Sequence, residues 1–80
     1  MAKRCVMFTF TEEQIKEPII HNLGQQYNIV TNIRRAALSE DEGWIVLELE
    51  GKEEDIEQGI AWVTSKGVRV DPANRDITEG

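Results

Sequence analysis

Gly43-Trp44-Ile45-Val46-Leu47-Glu48-Leu49-Glu50-Gly51 decides the fold. Ile45, Leu47 and Leu49 alternate with Trp44, Val46, Glu48 and Glu50, the period-2 pattern of a strand with one face in a core. Upstream, Ser39-Glu40-Asp41-Glu42-Gly43 is a polar turn closed by glycine, and Ile29 to Leu38 has no breaker and several β-branched residues. Two strands joined by so short a turn form a hairpin, strands two and three of the chain.

On the C-terminal side, Glu53, Glu54, Asp55 and Glu57 crowd what reads as the start of a helix, where the positive end of its dipole favours carboxylates. Ile56, Ile60 and Val63 form the buried stripe of that helix, Gly59 allows close approach to the sheet, and Lys66-Gly67 closes it. Val68-Arg69-Val70 is a short fourth strand. On the N-terminal side, Cys5-Val6-Met7-Phe8-Thr9-Phe10 is strand one, and the first helix runs from Pro18 to Tyr27 on Ile19, Ile20, Leu23 and Tyr27. The order is βαββαβ, an α+β arrangement of the ferredoxin-like kind. Right-handed crossovers place strands one and three centrally in a four-stranded antiparallel sheet, with both helices on one face. Residues 1–71 make one domain, and 72–80 are expected to be a flexible tail.

Composition limits what such a domain can do. The 80 residues include 9 Lys+Arg and 15 Asp+Glu, a net charge of −6. That balance argues against sequence-independent nucleic-acid binding, and the open sheet face lacks the aromatics an RNA-binding sheet needs. The apolar run near the N-terminus is too short for a signal peptide or a membrane span, and a lone cysteine suits a reducing compartment, so the cytoplasm is the expected location. One cysteine makes no internal disulfide, and one histidine with one cysteine makes no ordinary zinc site. No cofactor is expected. A domain this small has a thin core and often gains stability from a partner chain, so a homodimer is expected.

The face away from the helices receives Cys5, Met7, Thr9, Asn32, Arg34, Trp44, Val46, Glu48 and Arg69. This mixture of apolar and convergent polar groups suits a dimer interface, a small zwitterionic ligand, or both. Arg34 and Arg35, adjacent on a strand, are expected on opposite faces and so form no single phosphate clamp. Cys5 beside Lys3 and Arg4 reads as a packed strand residue rather than a reactive thiol. His21, four residues after Glu17, reads as a surface histidine. Glu40 to Glu42 lack the alternating ligands of a calcium loop. With no converging nucleophile, base and acid, the chain is not expected to be an enzyme.

Several of these stretches, in this order, resemble the NIL domain, a ferredoxin-like module at the C-terminus of methionine ABC-importer ATPases that also occurs beside iron–sulfur ferredoxin domains. They are Glu17-Pro18-Ile19-Ile20, Tyr27-Asn28-Ile29, Thr31-Asn32-Ile33, Gly43 with Ile45-Val46-Leu47-Glu48-Leu49, Gly51, Ile60-Ala61-Trp62-Val63 and Gly67-Val68-Arg69-Val70. The resemblance covers residues 4 to 71. It implies a stand-alone regulatory domain that pairs with a second copy and binds methionine or a similar amino acid. Asn32 and Ile33 match the first two positions of the motif that names the family. The third is Arg34, where the family tends to have an apolar residue, and a guanidinium there can grip a carboxylate. The ligand site is therefore expected at Asn32, Ile33, Arg34 and Met7, and the dimer or interaction surface at Trp44, Val46 and Arg69. No ATPase domain is expected within these 80 residues, and they contain no Cys-x-x-Cys cluster motif. The competing reading is a protein–protein adaptor that uses the open face or an edge strand without a small ligand.

Overall fold

The computed structural model describes residues 1–73. Its elements are β1 (Ala2–Thr11), α1 (Glu12–Ile15), α2 (Ile19–Tyr27), β2 (Val30–Leu38), β3 (Glu42–Gly51), α3 (Glu53–Ser65) and β4 (Arg69–Pro72). The strands form one antiparallel sheet in the order β2-β3-β1-β4, so β1 and β3 are central. This is the expected α+β, ferredoxin-like arrangement.

Pairing of Val6 with Leu47 and Phe8 with Ile45 stacks the apolar sides of β1 and β3 in one layer, and Phe8 also faces Val70 of β4. Ile19 and Leu23 of α2, with Ile56 and Val63 of α3, cover that layer. Phe8, Leu23, Leu47, Leu49, Ile56, Val63 and Val68 are essentially shut off from solvent. Phe8 and Phe10 meet edge to face, 6.1 Å between ring centres.

The crossovers are pinned by local chemistry. A short helix not evident from the sequence, α1, precedes α2. Its amide side chain at Gln14 accepts from the Thr11 N–H at 2.9 Å and donates to the Lys66 carbonyl at 3.2 Å, tying the start of one crossover to the end of the other. Helix α2 ends at Asn28, whose φ of 55° is left-handed and which asparagine tolerates better than most residues. Helix α3 ends ahead of Gly67, at φ 88°, as the sequence leads one to expect. At Gly59, a Cβ would lie 2.7 Å from the methyl ends of both Ile29 and Leu23, so this glycine sets how closely α3 approaches α2 and the sheet.

The last strand reaches further than Val70. Met7 pairs with Asp71 and Val6 with Pro72, and the Ala73 N–H donates to the Cys5 carbonyl at 3.0 Å. Pro72, the first residue of the expected tail, thus belongs to the sheet and Ala73 is hydrogen-bonded to it, and the remainder lies outside the described residues.

The largest departure from regular pairing is in β2. Ile33 lies opposite Leu47 and Arg35 opposite Val46, so Arg34 is an extra residue, a β-bulge. Before it Thr31 and Ile33 share the helix side, and after it Ala36 and Leu38 do.

Two substitutions test the packing. Phe8→Ala empties the centre of the core and should cost about 3–5 kcal/mol, comparable with the whole stability of a domain of this size. Gly59→Val should cost about 1–3 kcal/mol by overpacking. Urea unfolding followed by circular dichroism reads both, and a wild-type midpoint for either variant would contradict the packing described.

Candidate functional site

The sheet face away from the helices is laid out in rows by the register. One row runs Asn32–Glu48–Cys5; the next runs Arg35–Val46–Met7–Asp71; the third runs Ala37–Trp44–Thr9–Arg69. Arg34, extruded at the bulge, reaches the first row, with its Nη2 3.5 Å from the Glu48 Oε1.

Glu48 is the electrostatic centre of this face. It lies on a central strand and is only 5% exposed. A buried carboxylate is stable only where cations or hydrogen-bond donors compensate its lost hydration. Arg34 supplies part of that compensation from the edge of the sheet, while remaining about half exposed itself. One row away, the Arg35 guanidinium lies 6.0 Å from the Trp44 ring centre, a cation–π distance. Val46, between Trp44 and Glu48 and opposite Arg35 and Met7, is buried. Arg69 donates to Asp71 Oδ2 at 2.9 Å along the exposed edge of β4.

The residues singled out from sequence are therefore sorted as follows. Asn32, Arg34, Met7, Trp44, Val46 and Arg69 share the open face. Ile33 does not: it lies on the helix side of β2, beyond the cover of the helices, and is 55% exposed. The expectation that Arg34 and Arg35 point to opposite faces is overturned by the bulge, because Arg35 pairs with Val46 and Arg34 contacts Glu48, both on the open face. Two guanidinium groups thus stand beside Asn32. Strand alternation alone missed Arg35. The signal was a phase slip: the helix-side positions of β2 are odd-numbered through Ile33 and even-numbered from Ala36.

Cys5 is half-buried in the Glu48 row. His21 is exposed on α2, and Glu17 pairs instead with Lys66 at 3.7 Å. Lys66 also lies 5.5 Å from the Trp62 ring centre. Among the described residues, no group of three or more His, Cys, Asp or Glu is placed to hold a metal ion. At the hairpin end, a cavity of about 310 Å³ opens beside Trp44, Thr9 and Ala37, with Glu42 on its wall. The face offers an amide and two guanidinium groups around apolar surface, a set that can bind a carboxylate and, through the amide oxygen, an ammonium group.

The model of the NIL domain family matches residues 4–72. The chain belongs to the NIL domain family. Among solved structures, this NIL domain is similar to the crystal structure of the C-terminal domain of an ABC transporter/ATP-binding protein from Enterococcus faecalis, with a TM-score of 0.77 and 24% identity. The likeness covers 90% of this chain and 84% of that one, and at this identity it speaks for the shared fold. No curated protein matches the chain. Among the described residues, no helix of the NIL domain is long and apolar enough to cross a membrane.

The Arg34–Glu48 pair gives a direct test of the open face. Arg34→Ala should lower stability by about 1 kcal/mol, discounted for the exposure of the guanidinium. In a Glu48→Gln background the same change should cost less, leaving a coupling of about 0.5–1.5 kcal/mol in a double-mutant cycle. Additive effects would mean the pair does not interact in solution.

Proposed function

We propose that this NIL domain is a non-enzymatic regulatory module that self-associates and binds a small amino-acid-like ligand on its open sheet face. The observation that carries the reading is the grouping of Asn32 with Arg34, and with Arg35 one row away, on a face that is otherwise partly apolar. A guanidinium and an amide together suit an α-carboxylate, while the Asn32 side-chain carbonyl suits an α-ammonium group. Met7 and Trp44 offer apolar contact for a side chain such as that of methionine. Ile33 faces away from this surface and is assigned no direct ligand contact.

Membership of the NIL domain family favours a regulatory over a catalytic role. In this reading ligand binding changes how the domain pairs with itself or with a partner protein, and the domain works in the cytoplasm without a cofactor. The adaptor reading has its own support in the apolar side chains exposed along β2, namely Val30, Ile33 and Leu38.

A panel of amino acids that includes methionine, at millimolar concentration, separates the two. Ligand at 100 times its dissociation constant stabilises the folded state by about 2.7 kcal/mol, a readily measured rise in melting temperature. Asn32→Ala and Arg34→Ala should each remove most of that rise. If no amino acid shifts the wild-type melting temperature, the ligand-binding reading fails. The adaptor reading predicts instead that Arg34→Glu abolishes capture of a protein partner.

A further inference from the structure

We propose that the helix-side cleft at the hairpin end of the sheet docks a cationic segment of a partner protein, which seats one large apolar side chain in it. The cleft lies on the other side of the sheet from the ligand surface proposed above and does not depend on it.

Phe10 and Ile45 come from the two central strands, Ile19 and Ile20 from the start of α2, and Leu38 from the end of β2. With Pro18 they line a cavity of about 160 Å³. Phe10, Ile19 and Ile45 are otherwise buried, whereas Leu38 is 60% exposed and Pro18 is also exposed. Leu38 is thus an apolar wall with one side on the cavity and much of the rest in water.

Size decides what the cleft can hold. Sites for whole small molecules span about 300–1,000 Å³, whereas a dry cavity of about 150 Å³ takes a single benzene ring. This one therefore fits a single side chain such as that of leucine, methionine or phenylalanine. Two polar side chains on its margin are already engaged: Gln14 accepts from the Thr11 N–H and donates to the Lys66 carbonyl, and Glu17 pairs with Lys66. Recognition in the cleft itself is by shape and apolar contact.

Charge selects the partner. Glu12 and Glu13 precede the cleft residues of α1, Glu17 lines the cleft, and Glu40, Asp41 and Glu42 follow Leu38 in the hairpin turn. All six are exposed, and the lysines beside them are Lys16 and Lys66, the second held by Glu17. The mouth of the cleft thus carries a negative potential that draws cationic segments and repels acidic ones. A second copy of the chain, with its net charge of −6, would bring like charge to this mouth. A segment with Lys or Arg on both sides of one large apolar residue meets both features, the apolar residue serving as a buried anchor.

Titration followed by nuclear magnetic resonance, with capped peptides of defined sequence, tests the proposal. The probe has a central leucine flanked by two lysines on each side, and its controls replace the leucine by alanine or the lysines by glutamates. The leucine probe should move the amide signals of Ile15, Ile20, Leu38 and Ile45 and leave those of Asn32 and Trp44 in place. The alanine control should bind at least about tenfold more weakly, and the glutamate control should not bind. Raising the salt from about 0.1 M to about 1 M shortens the screening length from about 10 Å to about 3 Å and should weaken the probe at least about fivefold. Leu38→Ser, at an exposed position that leaves the core intact, should weaken it by a similar factor, as should Glu40→Gln with Asp41→Asn. No response to the leucine probe, equal binding of the alanine control, or indifference to salt overturns the proposal. So does a Leu38→Ser chain that loses self-association in sedimentation velocity, which would assign the cleft to a second copy. Failure of every amino acid to raise the melting temperature sinks the ligand reading alone and leaves this one standing.

Discussion

A sheet with helices on only one side must cover the centre of its other side with its own side chains. That constraint organises this NIL domain. β3 is central, and on the open face it carries Val46 and Glu48, both buried. Met7 lies beside them from β1, and Arg34 and Arg35 come from β2. The bulge allows both arginines to serve that face at once. Without the extra residue, one would meet the edge of the helix layer while the other stood over the sheet. A burial problem thus concentrates cationic groups beside Asn32, and the structural need and the proposed ligand surface use the same residues.

Much of the fold was legible because its signals are strong and mutually consistent. The alternation in β3, the polar turn closed by Gly43, the acidic start of α3 and the glycine after Lys66 each predict one element, and together they admit one topology. The short helix α1 was not legible, since Glu12-Glu13-Gln14-Ile15 has too few residues to show a period and forms through the Gln14 side chain. The open face was legible for β1 and β3, which pair regularly. It failed at Arg35 because strand alternation assumes an unbroken ladder, and no glycine or proline announces the bulge. The burial of Val46 was equally hidden, since it depends on neighbours that register alone brings together.

Local chemistry also explains why so small a domain can hold a defined shape without a disulfide. Gly59 lets α3 settle close to Leu23 and Ile29. The Gln14 amide and the Lys66–Glu17 pair join the two crossovers on the helix side. These contacts are individually weak in water, but each removes a way for the helices to slide over the core.

The pairing of β1 with β4 has a kinetic consequence. Phe8 lies opposite Val70, so nearly the whole chain must be enclosed before that pair forms. The β2–β3 hairpin, by contrast, closes across a turn of a few residues. Loop closure costs more entropy the longer the enclosed segment, and chains rich in distant pairings fold more slowly than those built from near neighbours. β4 is short, so it is expected to dock late, on a surface that the hairpin, β1 and α3 assemble first. The strand expected to join last is thus the one that closes the fold, and assembly is expected to run from the hairpin outward.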